Sequence, residues 1–399
     1  MDICPRCYDK IVGLLEKGVY CPNPLTLDIG DDVDIGKISG RDVTIYPGCR
    51  VYGAKTVISS GTKIGYEGPA TIDNCQIGTD VELKGGFFKG SVFLDKSSMG
   101  LGAHVREGCI LEEEASGAHC VGIKQTILFP FVTLGSLINF CDCLMAGGTS
   151  RKDHSEVGSS YIHFNFTPDG DKTTASLIGD VPRGVMLDQR PIFLGGQGGI
   201  VGPLRIGYGN VVAANSVLRN DYLEENKLVM GKTYSGRVMD FKPAGYANLG
   251  RVASLNILYI ANLMALKEWY IYVRQPFLKS REFGDLIFAG LLDTLDAAKN
   301  ERLKRLGMLV AKAGKIEFSD TFGQIETLFA SRPDNKDINR KRQEFLSFSE
   351  DARTGDSYID AVKSLAPSAR QAGVTWLKGV VDIYCKKAAG LVPSLMRFT

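Results

Sequence analysis

The chain has 399 residues, and its 47 lysines and arginines nearly balance its 45 aspartates and glutamates, which leaves a formal net charge of +2. This balance argues against a protein that binds nucleic acid or a membrane surface through excess positive charge. The length exceeds what one hydrophobic core usually supports, so we expect two domains, or a long solenoid with an appendage.

The N-terminal segment, residues 1–24, contains a CxxC pair, Cys4 and Cys7, with Cys21 further on. Apolar residues between them predict a short helix. A zinc site would need further ligands at regular spacing, so we favour a capping segment and keep structural zinc or a redox role as the alternative.

No secretion signal or membrane span is evident in the sequence. The N-terminus has no apolar signal core, and no later uncharged apolar run approaches the roughly 18 residues of a membrane helix. We therefore expect a cytoplasmic protein whose ten cysteines are mostly reduced thiols.

Residues 25–244 are predicted to form a solenoid. Aliphatic residues recur every six positions at Leu194, Ile200, Ile206, Val212 and Leu218. Neither a helix nor simple strand alternation selects every sixth position, whereas a coil of short parallel strands does. Looser six-residue steps upstream predict further stacked coils, because a solenoid buries its core only by stacking. We expect a mainly β fold, the left-handed parallel β-helix.

Residues 146–191 interrupt this pattern with an irregular polar stretch. It contains His154 and His163, and irregular loops on a rigid scaffold often carry functional groups. Arg183 and Arg190 near its end are suited to binding a phosphate or carboxylate. The alternative is a surface loop closed by an arginine–aspartate pair that involves Asp188.

Residues 245–399 change to helical spacing, shown by Val252, Leu255, Tyr259, Leu266, Trp269 and Val273. We predict a helical domain that caps the solenoid or pairs with a partner chain.

Ordered motifs between about residue 100 and residue 221 give a resemblance. They are the FLG, P-x-x-x-G and closing-Asp positions of Ile192–Asp221, the SLIGD of Ser176–Asp180, and Asn165-Phe166 followed by Asp169-Gly170. Together they resemble the acetyltransferase domain of the bacterial bifunctional N-acetylglucosamine-1-phosphate uridylyltransferase/glucosamine-1-phosphate acetyltransferase family.

The resemblance implies roles for three residues. Arg106 and Lys124 fall where the family holds the sugar phosphate, and Asn165 resembles an asparagine near the acetyl group. The alternatives are outward solvated side chains for the two cations and a structural corner residue for Asn165. The family further implies acetyl-CoA as a substrate, a phosphorylated or nucleotide-linked sugar such as UDP-N-acetylglucosamine as the partner, and a homotrimer with sites between subunits.

The chain departs from the family at the catalytic base. The family has a histidine in an Asn/Gly-His-Leu-x-Tyr segment, and we align Phe140, after Asn139, with it. Phenylalanine accepts no proton, and a general base typically contributes about 10²- to 10⁴-fold in rate. We predict that His154 or His163 supplies the imidazole, against the alternative that both are structural.

Three functions follow from these observations. The first is a sugar acetyltransferase, and the second is a degenerate sugar-nucleotide-binding or scaffold protein that lost its base. The third is a zinc hydrolyase like the γ-class carbonic anhydrases, which is disfavoured because Ser159 stands where a third histidine should follow His119 and His154. The first 100 residues show no Gly-rich nucleotide loop, so we expect no uridylyltransferase domain.

Overall fold

The computed structural model describes residues 5–231, 236, 238, 240, 248–314, 316–333, 335–348 and 357–393. Residues 28–229 form a parallel β-solenoid of about 11 turns, and helices follow it. The predicted fold, a left-handed β-helix with C-terminal helices, is confirmed. The predicted boundary at residues 244 and 245 lies outside the described residues.

The strands are short and are numbered in chain order. They are β1 Asp28–Ile29, β2 Thr44–Ile45, β3 Arg50–Tyr52, β4 Val57–Ile58, β5 Lys63–Ile64, β6 Ala70–Asp73, β7 Gln76–Ile77, β8 Glu82–Leu83, β9 Gly86–Lys89, β10 Ser91–Phe93, β11 Ser98–Met99, β12 Ala103–Val105, β13 Cys109–Leu111, β14 Ser116–Gly117, β15 Val121–Leu128, β16 Thr133–Leu134, β17 Ile138–Met145, β18 Gly148–Ser150, β19 Asp153–His154, β20 Glu156–Val157, β21 Ile162–Phe164, β22 Ser176–Ile178, β23 Phe193–Leu194, β24 Gly199–Val201, β25 Arg205–Ile206, β26 Val211–Val212, β27 Val217–Leu218 and β28 Leu228–Val229.

The helices are numbered in the same way. They are α1 Tyr8–Glu16, α2 Val181–Gly184, α3 Leu249–Trp269, α4 Gln275–Lys279, α5 Gly284–Ala313, α6 Ile316–Ala330, α7 Lys336–Phe348, α8 Tyr358–Ser364 and α9 Pro367–Leu391. A π-helical turn, Tyr270–Arg274, joins α3 to α4.

The coils have three faces. The first face contains β2, β5, β8, β11, β14, β16, β20, β23, β26 and β28. The second contains β1, β3, β6, β9, β12, β21, β24 and β27, and the third contains β4, β7, β10, β13, β22 and β25. The long strands β15 and β17 belong to both the second and the third face. We call the turns between faces the first corner (first to second face), the second corner (second to third) and the third corner (third to first).

One residue of each second-face strand points into the coil, and paired strands stack these residues into a ladder. The ladder runs through Ile72, Phe88, Val105, Ile123, Phe140, His163, Ile200 and Leu218. All eight are at most 1% exposed. This is the periodic burial that the six-residue spacing predicts, and it places Phe140 and His163 in the interior.

The C-terminal helices cover the third face, and we call α3–α9 the helical layer. Helix α5 contacts β7, β10 and β13, while α3 contacts β22 and packs against α9. The segment Leu249–Lys279 is long and apolar enough to cross a membrane, but 78% of its most apolar window is buried, as in the core helix of a soluble protein.

Helix α1 packs on the first coil. The Lys10 ammonium donates hydrogen bonds at 2.8 Å to the carbonyls of Gly30, Asp31 and Val33. Cys4 lies outside the described residues, and Cys7 and Cys21 are buried free thiols. Within the described ranges, no group of three or more histidine, cysteine or acidic residues is arranged to hold a metal ion.

Candidate functional site

Two of the predicted cations lie together at the second corner. Arg106 follows β12 and Lys124 lies in β15, its partner strand in the next coil. The Lys124 ammonium is 3.6 Å from a carboxylate oxygen of Glu107. The Arg106 side chain is half-buried, and its Nε is buried without a hydrogen-bond partner. The corner therefore presents two positive charges and an unsatisfied donor, which suits a multiply charged anion.

Cys141 stands at the same corner in the following coil. Its thiol donates to Asn139 Oδ1 over 3.1 Å, and the Arg106 guanidinium also contacts it. Burial raises the pKa of this thiol to about 11, and Arg106 only partly opposes that effect. The thiol therefore stays neutral at ordinary pH and acts as packing beside the guanidinium.

The predicted Asn165 belongs to the same corner. It begins an irregular excursion between β21 and β22, residues 165–175, which we call the corner loop. Its side chain is half-buried. The corner loop also contains Lys172, whose backbone is left-handed and whose positive charge acts on the Asp142 carboxylate. Sequence reasoning did not single out Lys172, although it lies two residues after the Asp169-Gly170 pair.

The predicted base His154 lies elsewhere, at the third corner. It ends the hairpin of β18 and β19. Its Nδ1 is 2.9 Å from the Arg151 carbonyl, and its Nε2 is 3.7 Å from a carboxylate oxygen of Glu156. The structure thus gives His154 an oriented imidazole but places it at a different corner from Arg106 and Lys124.

The second predicted base, His163, points into the solenoid. Its Nε2 is 2.8 Å from Ser176 Oγ, and its ring contacts the edge of Phe140 with centroids 5.9 Å apart. Burial lowers the pKa of this imidazole to about 3. His163 is therefore a neutral core residue within this chain, out of contact with solvent.

A further imidazole, His119, lies at the first corner, on the opposite edge of the second face from Arg106 and Lys124. It is exposed, and its Nδ1 is 2.9 Å from the Ser136 hydroxyl in the next coil. Its Nε2 has no partner in the described part of the chain. The residues are 17 positions apart, close to one full coil, so coil spacing could have identified the pair.

Arg183 and Arg190 lie at the third corner, near the end of the solenoid. Arg183 pairs with Asp180 and Glu225, and its guanidinium lies 4.7 Å from the Tyr208 ring centroid. It lines a cleft of about 940 Å³ between the last coils and the helical layer. Arg190 is exposed and donates to Asn226 over 2.9 Å.

Asp188 pairs with neither of these arginines. Its carboxylate lies 3.6 Å from Arg370 of α9. The structure therefore separates the predicted residues into a second-corner group (Arg106, Lys124 and Asn165), a third-corner group (His154, Arg183 and Arg190), and the interior His163.

Comparison with known proteins supports the resemblance. The chain is 30% identical over 213 residues to the bifunctional protein GlmU of Thermotoga maritima, which covers 53% of this chain and 42% of that protein. The chain is 29% identical over 223 residues to the same-named protein of Fervidobacterium nodosum, which covers 55% of this chain and 43% of that protein. It is 26% identical over 212 residues to the same-named protein of Staphylococcus haemolyticus, which covers 53% of this chain and 42% of that protein. The chain thus spans less than half the length of these relatives. No protein-family model matches it.

Proposed function

We propose, from this likeness and from the second face, that the protein transfers an acetyl group from acetyl-CoA to the amino group of an amino-sugar phosphate. The observation that carries the proposal is the pairing of Arg106 and Lys124 on successive coils, with a buried guanidinium donor left unpartnered. Both residues fall at positions that resemble the sugar-phosphate ligands of the bifunctional family. A nucleotide-linked sugar is the alternative ligand.

The outer surface of the second face is wide enough to hold such an acceptor. Four residues lie between Ser136 at the first corner and Cys141 at the second, and three of them, Ile138–Phe140, form one strand crossing that spans about 10 Å. Gly122 and Asn139 are register partners that face outward there. A side-chain carbon at Gly122 would meet its nearest neighbour, the Ile138 carbonyl, only at 3.7 Å, so the floor is open.

The reaction requires a proton acceptor near this surface of the second face. The acceptor nitrogen attacks the thioester carbonyl, the C–S bond breaks, and the amine proton passes through the base to the departing CoA sulfur. Within one chain His154 lies at the third corner, away from this face, so it remains the predicted base for a site shared with a neighbouring subunit of the proposed trimer. We add His119, because with its proton on Nδ1 it donates to Ser136 Oγ and leaves the Nε2 lone pair available at the edge of the same face.

The test is the affinity for glucosamine 1-phosphate, measured by isothermal titration. Arg106→Ala and Lys124→Ala should each weaken binding about tenfold or more, because each removes a charge-assisted contact to phosphate. Glucosamine without phosphate should bind all variants with equally low affinity.

Arg50→Ala is the matched control, since Arg50 is an exposed cation on the same face, several coils away. Equal binding of the phosphate by wild type and both corner variants would contradict the proposal. Binding without acetyl transfer would instead favour the degenerate binding protein.

A homotrimer also belongs to the proposal. Phe193, Val211 and Leu228 are register partners on successive strands of the first face, and all three point outward and are exposed. Such an apolar ladder on a soluble solenoid suits contact with neighbouring subunits.

A further inference from the structure

The helical layer binds the corner loop through the main chain of the loop. Asn256 of α3 donates to the Thr173 carbonyl over 3.1 Å, and Arg302 of α5 donates to the Lys172 carbonyl over 3.3 Å. Lys312, near the end of α5, donates to the Asp169 carbonyl. Three helical side chains therefore fix the loop's backbone path within five residues.

Arg302 joins three parts of the molecule. Its Nη2 lies 2.8 Å from Asp142 Oδ1 at the second corner, and the two side chains are only 3% and 6% exposed. Desolvation raises the pKa of Asp142, and the neighbouring Arg302 charge opposes the rise. A single buried guanidinium thus connects helix α5, the coil that follows Lys124 and the corner loop.

The loop adds its own internal bonds to this attachment. The buried Asp171 carboxylate accepts from the Thr173 amide at 3.1 Å and from the Thr173 hydroxyl at 2.8 Å. The Gly170 amide donates to the Thr167 carbonyl at 2.9 Å. These turns shape the loop locally, and the helices set where the turns sit on the solenoid.

We propose that the helical layer is a working part of the acceptor site, with Arg302 as a positioning residue that holds the corner loop, and with it Asn165, against the second corner. The identity of the acceptor rests on the proposed function, whereas the attachment of the loop does not.

The first test is hydrogen exchange of the full-length protein, followed by mass spectrometry. In Arg302→Gln, amides of residues 166–175 should exchange at least tenfold faster than in wild type, because exchange follows local opening. Arg302→Lys should show a smaller increase, since it keeps the charge but loses the fork that reaches two oxygens.

Asp293→Asn is the matched control. It removes the exposed 2.8 Å ion pair between Asp293 of α5 and Lys55 of the solenoid. Because this pair is far from the corner loop, the variant should leave hydrogen exchange in the loop unchanged. If Arg302→Gln proves unfolded, Asn256→Ala tests the same loop through its other buried anchor. Wild-type exchange in the loop of a folded Arg302→Gln variant would overturn the proposal.

The second test is steady-state kinetics on the same variants. Arg302→Gln should raise KM for the amino-sugar phosphate about tenfold and leave KM for acetyl-CoA within twofold, a split that general destabilisation would not produce. If the loop of Arg302→Gln exchanged fast while KM for the amino-sugar phosphate stayed unchanged, the proposed role of Arg302 in the acceptor site would be overturned. Absence of transfer by the wild type would overturn the proposed function and the site role with it, while the exchange data would still decide the attachment.

Discussion

His163 shows how one residue's role depends on its phase within the coil. It occupies the same interior ladder position as Phe140 and Ile200, so its imidazole replaces an aliphatic or aromatic core side chain. The Ser176 hydroxyl gives Nε2 a partner, while Nδ1 is buried without one. Sequence alone flagged a histidine in a polar stretch, but the inward direction depends on the register that pairs β21 with β17.

The buried His163 predicts an acid-dependent loss of stability. Its pKa is about 3 in the folded chain against about 6.5 in an unfolded one, so the unfolded state binds the extra proton between these values. The contribution of neutral His163 to the free energy of unfolding is therefore complete above pH 6.5. It is lost as the pH falls, at up to about 1.4 kcal/mol per pH unit. His163→Gln should remove this slope in denaturant titrations between pH 4 and pH 7. If the stability of His163→Gln followed the same pH curve as that of wild type, His163 would not be the source of the acid-dependent loss.

Spacing along the chain explains which site residues sequence reasoning could find. Arg106 and Lys124 are 18 positions apart, one coil of three hexapeptides, so a regular solenoid brings them to the same corner. His154 follows an inserted hairpin, and Arg302 lies 160 residues from its partner Asp142. Neither a hairpin's direction nor a contact at such separation follows from a local repeat, so those positions needed the structure.

At the scale of elements, the seam between the solenoid and the helical layer contains a buried charged cluster. Arg274, in the π-helical turn, lies 2.5 Å from a Glu113 oxygen and 3.6 Å from a Glu112 oxygen. The Tyr270 hydroxyl donates to Glu112, and the Arg274 guanidinium lies 3.8 Å from the Tyr358 ring centroid. Two carboxylates share one guanidinium, so one of them gains by retaining a proton.

The carboxylate that retains the proton in this cluster is Glu112. Burial raises its pKa to about 7, Arg274 opposes the rise, and Glu113 adds to it. Because the folded state then binds a proton that the unfolded state releases, this contribution to stability is complete below about pH 4.5 and is lost as the pH rises through 7.

Glu112→Gln should abolish this dependence, because the amide keeps the shape and an acceptor for Tyr270 without ionising. Relative to the variant, the wild type should lose up to about 1.4 kcal/mol per pH unit between pH 5 and pH 7. Urea denaturation of both proteins at pH 5, 6, 7 and 8 measures the difference. Parallel curves across that range would refute the assignment of the proton to Glu112.

The repeat made the solenoid predictable, and helical periodicity predicted the C-terminal helices. Where the helices dock did not follow from either pattern. The third face is buried by long-range pairs such as Arg274 with Glu113, which lie 161 residues apart. Docking of this kind is decided by tertiary packing, which a local period does not encode.

For the whole molecule, the first face predicts self-association. Val211 is 43% exposed between Phe193 and Leu228, so a charge there would be buried without a partner if subunits meet at this ladder. We expect wild type at three times the mass of one chain by light scattering, and Val211→Glu at the mass of one chain. Ser98 faces outward on the same face in a coil nearer the N-terminus, so Ser98→Glu should remain trimeric. A monomeric wild type, or a trimeric Val211→Glu, would contradict this arrangement.

Acetyl transfer at the second face is the activity proposed for the whole molecule. The most direct measurement is mass spectrometry of the products formed by wild-type protein from acetyl-CoA and glucosamine 1-phosphate, beside His119→Gln and His154→Gln. We predict N-acetylated sugar phosphate and free CoA in equal amounts, with a rate reduced about 10²-fold or more when the working base is removed. No acetylated sugar phosphate from the wild type, under conditions where it binds both substrates, would contradict the central claim.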